Sequence, residues 1–239
     1  MSIHAHGSYL CQCCRHHERL NFGNGNIWFD VTKVTNAQYA EFLAESGWRP
    51  RSEQNWLKSW DWNEPGELPT VPEGDGNRPV NWVSRHDAVE YCKYYEKRLP
   101  ESWEWQFVAQ GGTQRRFPWG DDENCETCAP PQDNISRQTP KPYEVDAFPD
   151  GATPNGIFDL WGNIFEWTSA FEDEHSTKAI VRGGHFWRGA GTQWYFPRPS
   201  DLFEHNTFLM LSDSMDRSAG IGFRCTANFR SGGESAIAK

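Results

Sequence analysis

Asp159 and Glu166 stand where an ordinary core strand has no use for a carboxylate. They lie in G-I-F-D-L-W-G-N-I-F-E-W (156–167), among large apolar side chains and rings. If this segment is irregular, Gly162 lets the backbone turn back, so that main-chain carbonyls and both carboxylates converge on one point. Such an all-oxygen arrangement suits a hard cation, and Ca²⁺ is the expected occupant. The alternative is that Glu166 pairs with an arginine beneath a sheet, because buried carboxylates are usually paired.

The second chemical pattern is Cys11-x-x-Cys14 with Cys125-x-x-Cys128. Two such pairs far apart in sequence are the usual make-up of a tetrahedral structural Zn²⁺ site, since each pair grips the metal from one tight turn. A zinc ion there would clip the N-terminal loop to the loop before Asn134, with Cys13, His16 and His17 as substitute ligands. Disulfides or free thiols are the competing reading. The total of seven cysteines is odd, which speaks against a complete disulfide framework. Cys92 and Cys225 fall within apolar patterns and need a separate explanation.

The elements that would position these groups fit one domain. A chain of 239 residues can bury a single large core. With 13 Trp, 15 Phe and 7 Tyr, that core and any cleft are built from rings, while 21 Gly and 15 Pro predict much irregular backbone. Net charge is −10, and Lys and Arg form no stripe, which argues against nucleic acid and anionic membrane as partners. Residues 1–20 hold no apolar leader and no stretch reaches membrane-spanning length, so the chain reads as soluble and cytoplasmic, with secretion behind a removed signal peptide left open. Nothing in the sequence fixes an oligomeric state.

In chain order, short strands are predicted at 7–10 and 26–34, the latter with Ile27 and Phe29 on one face. Thr35 and Gln38 form a capping-box pattern that opens a helix burying Tyr39, Phe42 and Leu43. Residues 47–79 have no sustained period and carry Trp48, Trp56, Trp60 and Trp62, so they are expected to line or cover a cleft. A strand follows at 79–83. Ser84 then caps a helix with Ala88, Cys92 and Tyr95 on one face, and a third helix, E-S-W-E-W-Q-F-V-A-Q, ends at Gly111 and Gly112. Short strands and loops continue to 229, and 230–239 is expected to fray.

Seven motifs in this order resemble the formylglycine-generating enzymes, or sulfatase-modifying factors: K-V-T-N-A-Q-Y-A-E-F (33–42), R-P-V-N-W-V-S-R-H-D-A-V-E-Y-C (78–92), K-R-L-P-E-S-W-E-W (97–105), F-P-W-G (117–120), G-N-I-F-E-W (162–167), V-R-G-G (181–184) and G-F-R-C (222–225). The resemblance implies an irregular α+β fold of the variant C-type-lectin-like kind, with little regular sheet and calcium in its loops. It maps a calcium site onto the Asp159 and Glu166 side chains and the Gly162 and Ile164 carbonyls, and a weaker one onto Asn134 and Ile135, where the loop S-R-Q-T-P-K-P-Y is short. It also implies that Cys92 and Cys225 are a structural pair, bonded in an oxidising compartment and packed thiols otherwise.

The chain departs from that family at the chemistry. Members that oxidise a substrate cysteine hold copper between two thiols beyond V-R-G-G, and those positions here are Gln193 and Arg198, neither of which binds Cu(I). In the same cleft Trp187, Trp194 and Tyr195 alternate with Arg188, Gln193 and Arg198, and Arg217 follows on the next loop, a set suited to a small organic anion or a peptide. Formylglycine generation is therefore not expected. His185, His205 and Asp216 would be the ligands if iron or copper is held in the cleft. Three readings follow: a ligand-binding domain, a metal-dependent oxidoreductase related to sulfoxide synthases or siderophore-maturation enzymes, and a displayed variable binder of a diversity-generating retroelement.

Overall fold

In a computed structural model that describes residues 17–22, 25–129, 141–184, 201–213 and 215–228, Thr35 and Ser84 start the first two helices in the same way. Thr35 Oγ1 accepts from Gln38 N (3.2 Å), and Gln38 Oε1 accepts from Thr35 N (2.9 Å), which opens α1 (Asn36–Ser46). Gly47 closes it in the left-handed conformation (φ 64°), its N–H donating to Leu43 O. Ser84 and Asp87 make the equivalent reciprocal pair at the head of α2 (Arg85–Tyr94). In α3 (Ser102–Ala109) the Glu104 carboxylate turns back to accept from Glu101 N (2.8 Å), and Gly111 and Gly112 follow the last turn with positive φ.

Seven short strands complete the described residues: β1 (His17–Phe22), β2 (Gly25–Asp30), β3 (Phe165–Phe171), β4 (Lys178–Arg182), β5 (Asn206–Leu209), β6 (Ile221–Gly222) and β7 (Thr226–Asn228). They form a three-stranded sheet ordered β1-β2-β7 and a four-stranded sheet ordered β5-β4-β3-β6, in which only the β3–β6 pair is parallel. Three short helices, small sheets and long irregular connections make this an α+β fold of low regular content.

The C-terminal segment closes the structure. Asp30 N donates to Cys225 O, Cys225 N donates to Asp30 Oδ2, and Val34 N donates to Phe223 O, so 221–226 lies along the entry to α1. Cys92 of α2 is joined to Cys225 by a disulfide. Gly222 is required there, because a Cβ would lie 2.4 Å from Val80 O and 2.6 Å from Ile164 Cδ1.

Several sequence expectations need correction. The strand predicted at 26–34 stops at Asp30, because the backbone beyond it pairs with 223–225 instead of continuing a ladder. Residues 79–83 form an isolated Thr35–Pro79 bridge instead of a strand, and Trp82 at φ 55° breaks the extended run. β1 was not anticipated, and 7–10 lies outside the described residues. The excursion 47–79 does more than cover a surface. Trp56, Leu57 and Trp60 are buried with Tyr39, Phe42, Tyr91, Trp167 and Phe223 in the main core, whereas Trp62 is 42% exposed.

Candidate functional site

Two constellations flank Trp105 on α3. The first is the buried charge cluster beneath β3. The loop 157–164 carries three left-handed residues, Asp159 (φ 60°), Gly162 (φ 74°) and Asn163 (φ 59°), which fold it back on itself. Asn163 locks the turn by accepting from Tyr143 N (2.9 Å) and donating to Tyr143 O (3.0 Å) and Asp159 Oδ2 (3.0 Å). Gly162 N donates to Gly183 O, and the Ile164 side chain is fully buried.

Into this turn comes Lys33, wholly buried. Its Nζ donates to Asp159 Oδ2 (2.9 Å) and to the Asp159 carbonyl, and lies 3.3 Å from Glu166 Oε1. Arg224 approaches from the other side: its Nε and Nη2 grip Glu166 Oε2 and Oε1 (2.7 and 2.9 Å), and its remaining donors reach the Asp30, Val31 and Phe158 carbonyls. Trp105 Nε1–H donates to Glu166 Oε2 (3.0 Å). Burial pushes the Asp159 carboxyl above its ordinary range, with Lys33 and Asn163 offsetting only part of that. Glu166 suffers the same desolvation, but Arg224 and Lys33 together hold it below the usual carboxylate value.

Calcium was expected here, and the donor set does not fit it. The carboxylate oxygens already face two cations, and the two positive and two negative groups cancel. A divalent ion would be a net surplus in a space closed to water. The alternative, Glu166 paired with an arginine beneath the sheet, is the arrangement adopted. Lys33 was missed, although a signal was present: Ile27, Phe29, Val31 and Lys33 share the period of one strand face, which places a cation in phase with buried side chains. Asn134 and Ile135 lie outside the described residues.

The second constellation is a pocket where β4 runs out into Gly183 and Gly184. It is lined by Trp105, Trp161, both glycines, Asp201, Leu202, Glu204, His205 and Asn206. Gly183 sits at φ 93° with Leu160 O only 3.3 Å from where a Cβ would stand, so this floor is set by backbone approach. Trp161 extends the wall outward, meeting the stacked Phe117–Trp119 pair edge-on at 5.9 and 5.5 Å. Arg182 is the brace. It donates to Ser102 Oγ and Gln106 Oε1 of α3 and to Glu204 O, tying α3 to the 201–205 loop. All these acceptors are neutral, and burial lowers its guanidinium to about 10.

His205 thus lines the pocket, but Asp216 does not join it. Its Oδ1 accepts from Leu211 N (2.8 Å) and Ser212 N (3.3 Å), and the residue is buried as the brace of that turn. Arg217, expected in the cleft, is likewise corrected. Its Nε and Nη2 grip both Asp87 oxygens (2.9 and 3.1 Å), and Nη1 donates to Ser52 O and Gln54 O, with both side chains fully buried. His185, Trp187, Arg188, Gln193, Trp194, Tyr195 and Arg198 lie outside the described residues.

The metal expectations for sulfur can be tested on the donors. Cys125 and Cys128 are joined as a disulfide, a form that offers no thiolate to zinc, and Cys11 and Cys14 lie outside the described residues. The chain holds no cysteine between Cys128 and Cys225, and among the described residues the pocket lining carries no thiolate or thioether, the donors that suit Cu(I). No helix among the described residues is long and apolar enough to cross a membrane.

Comparison with known proteins places the architecture. The sulfatase-modifying factor enzyme 1-like domain matches residues 17–229. Hercynine oxygenase of Mycobacterium tuberculosis is 30% identical over 57% of this chain and 36% of its own. Formylglycine-generating enzyme of Mus musculus is 27% identical over 84% of this chain and 66% of its own, so the chain spans less than two thirds of either relative. Among solved structures, PvdO from Pseudomonas aeruginosa superposes with a TM-score of 0.59 at 19% identity, over 85% of this chain and 81% of that one.

Proposed function

Because the chain belongs to the sulfatase-modifying factor enzyme 1-like family, we propose that its working surface is the Trp105–Trp161–His205 pocket and that this pocket binds a peptide or small organic molecule without generating formylglycine. The observation that carries the reading is the composition of the pocket wall. Trp161 and Glu204 share the pocket wall, a combination that favours a flat or cationic group, while Asp201 beside them is paired with Arg116. The anion-facing part of the ligand falls, on sequence grounds, to Arg188 and Arg198. A ligand with an ammonium or ring at one end and a carboxylate at the other, as in an amino acid or short peptide, matches both. Gln193 and Arg198 at the two positions beyond V-R-G-G offer copper no thiolate for thiol oxidation there.

The test is a calorimetric titration with a matched set of short peptides and amino-acid derivatives that are cationic, zwitterionic or anionic. Cationic and zwitterionic members should bind, with affinity about 10-fold weaker in Trp161→Ala and in Glu204→Gln, the loss of one aromatic or charged contact. Binding that both variants leave unchanged, or binding of purely anionic ligands alone, would refute the assignment.

A further inference from the structure

The loop 157–164 has the build of a cation site: three consecutive-turn residues with positive φ, a carbonyl and carboxylates aimed at one point, and an asparagine that fixes the turn from behind. Yet the point of convergence is taken by a side chain. Lys33 Nζ lies between Asp159 and Glu166, the lysine has no exposed surface, and Arg224 saturates the far side of Glu166. We infer that Lys33 is a built-in counter-ion that does the structural work of a bound metal, so that this turn needs no divalent cation, and that removing its side chain converts the turn into a cation-binding site.

An ammonium donates three hydrogen bonds from a compact charge, which suits a cluster of oxygens at 2.9–3.3 Å. A divalent ion in the same place needs oxygens at about 2.3–2.6 Å and would sit against the ammonium itself. Covalent attachment also fixes the occupant: Lys33 enters from the segment between β2 and α1, whose backbone is held by Val34 N to Phe223 O and Val80 N to Val34 O. The occupant therefore cannot be diluted away or chelated. Asp159, which would otherwise be an uncompensated carboxylate in the core, stays neutralised at any metal concentration.

The experiment is thermal unfolding of the full chain with added CaCl₂ or EGTA, together with calorimetric Ca²⁺ titration, for wild type, Lys33→Ala and Lys33→Met. Titration of the wild type should show no Ca²⁺ binding that Asp159→Asn removes. Lys33→Ala should melt about 10 °C lower, as expected for a buried Asp159 carboxylate losing its cation, and should recover with Ca²⁺. Lys33→Met should melt lower without recovery, because its side chain fills the same space without charge. Wild-type protein that binds one Ca²⁺ per chain, and loses it in Asp159→Asn, would overturn the inference, and so would a folded Lys33→Ala that ignores Ca²⁺. Should Lys33→Ala fail to fold without Ca²⁺ and fold with it, the inference stands; the wild-type titration decides the matter if it folds under neither condition.

Discussion

Replacing Arg217 separates a structural from a ligand-binding role more sharply than any other single change. In the fold it is fully buried, donates to both oxygens of Asp87, and spans to the Ser52 and Gln54 carbonyls. Asp87 is at the same time the reciprocal cap of α2, accepting from Ser84 N. Arg217→Ala would leave a buried carboxylate without its cation and two carbonyls without donors. Breaking one side of such a pair costs about 3–5 kcal/mol, and at about 2–4 °C per kcal/mol for a chain of this size the melting temperature should fall by roughly 6–20 °C. Urea unfolding followed by circular dichroism reads the cost directly. A double-mutant cycle with Asp87→Asn supplies the control: once the carboxylate is neutral, Arg217→Met should cost about 2 kcal/mol less than in the wild-type background. If Arg217→Ala costs less than about 1 kcal/mol while weakening ligand binding, the assignment of Arg217 to the core is wrong.

Two other outcomes follow from the same geometry. The Cys92–Cys225 disulfide closes a sequence separation of 133, so reduction or Cys92→Ala should remove up to about 5 kcal/mol on the chain-entropy argument, whereas Cys125–Cys128, separated by 3, is worth about 2 kcal/mol at most; urea midpoints with and without reductant in Cys125→Ser compare them. Glu166 is held below its ordinary value of 4.5, so its contribution is present above that pH and lost as acid takes the folded protein through the lowered value. Asp159 is raised above 3.8 and works in the opposite direction, favouring the folded state on acidification, so Asp159→Asn should make the acid loss of stability steeper; a parallel or shallower profile would contradict the assigned directions.

Much of the scaffold was legible where local chemistry decides the structure. The Thr35–Gln38 and Ser84 caps, the glycines after α3 and the apolar face of α1 are written within a few residues of one another and formed as read, whereas on α2 Ala88 and Cys92 are buried with Tyr91 and Tyr95 falls at the C-cap. What escaped was decided by partners far along the chain. β2 ends early because residues 223–225 compete for its backbone, nearly two hundred positions later, and no local pattern announces that. The site shows the same division. Asp159 and Glu166 stood out as carboxylates in an apolar run, but whether a metal, an arginine or a lysine neutralises them depends on which cation folds underneath. Arg217 and Asp216 looked like cleft residues because they are polar and follow a long loop. Their partners, Asp87 and the Leu211 and Ser212 amides, are visible only in three dimensions.

The strand pairings of 221–226 also carry a consequence for how the protein is made. Ile221, Phe223 and Cys225 sit in the centre of the main core, Arg224 neutralises Glu166, and Thr226 bridges Arg98 and β2. A chain that stops short of residue 221 therefore leaves the main core open, although the second cluster around Trp105, Ile157 and Leu160 draws nothing from that segment. Until 221–226 is in place, Trp56 and Trp167 line a gap in the main core, an apolar surface of the kind that makes a partly folded chain prone to aggregate. A stop codon just before residue 221 should yield that open form, read as aggregation that the full chain does not show.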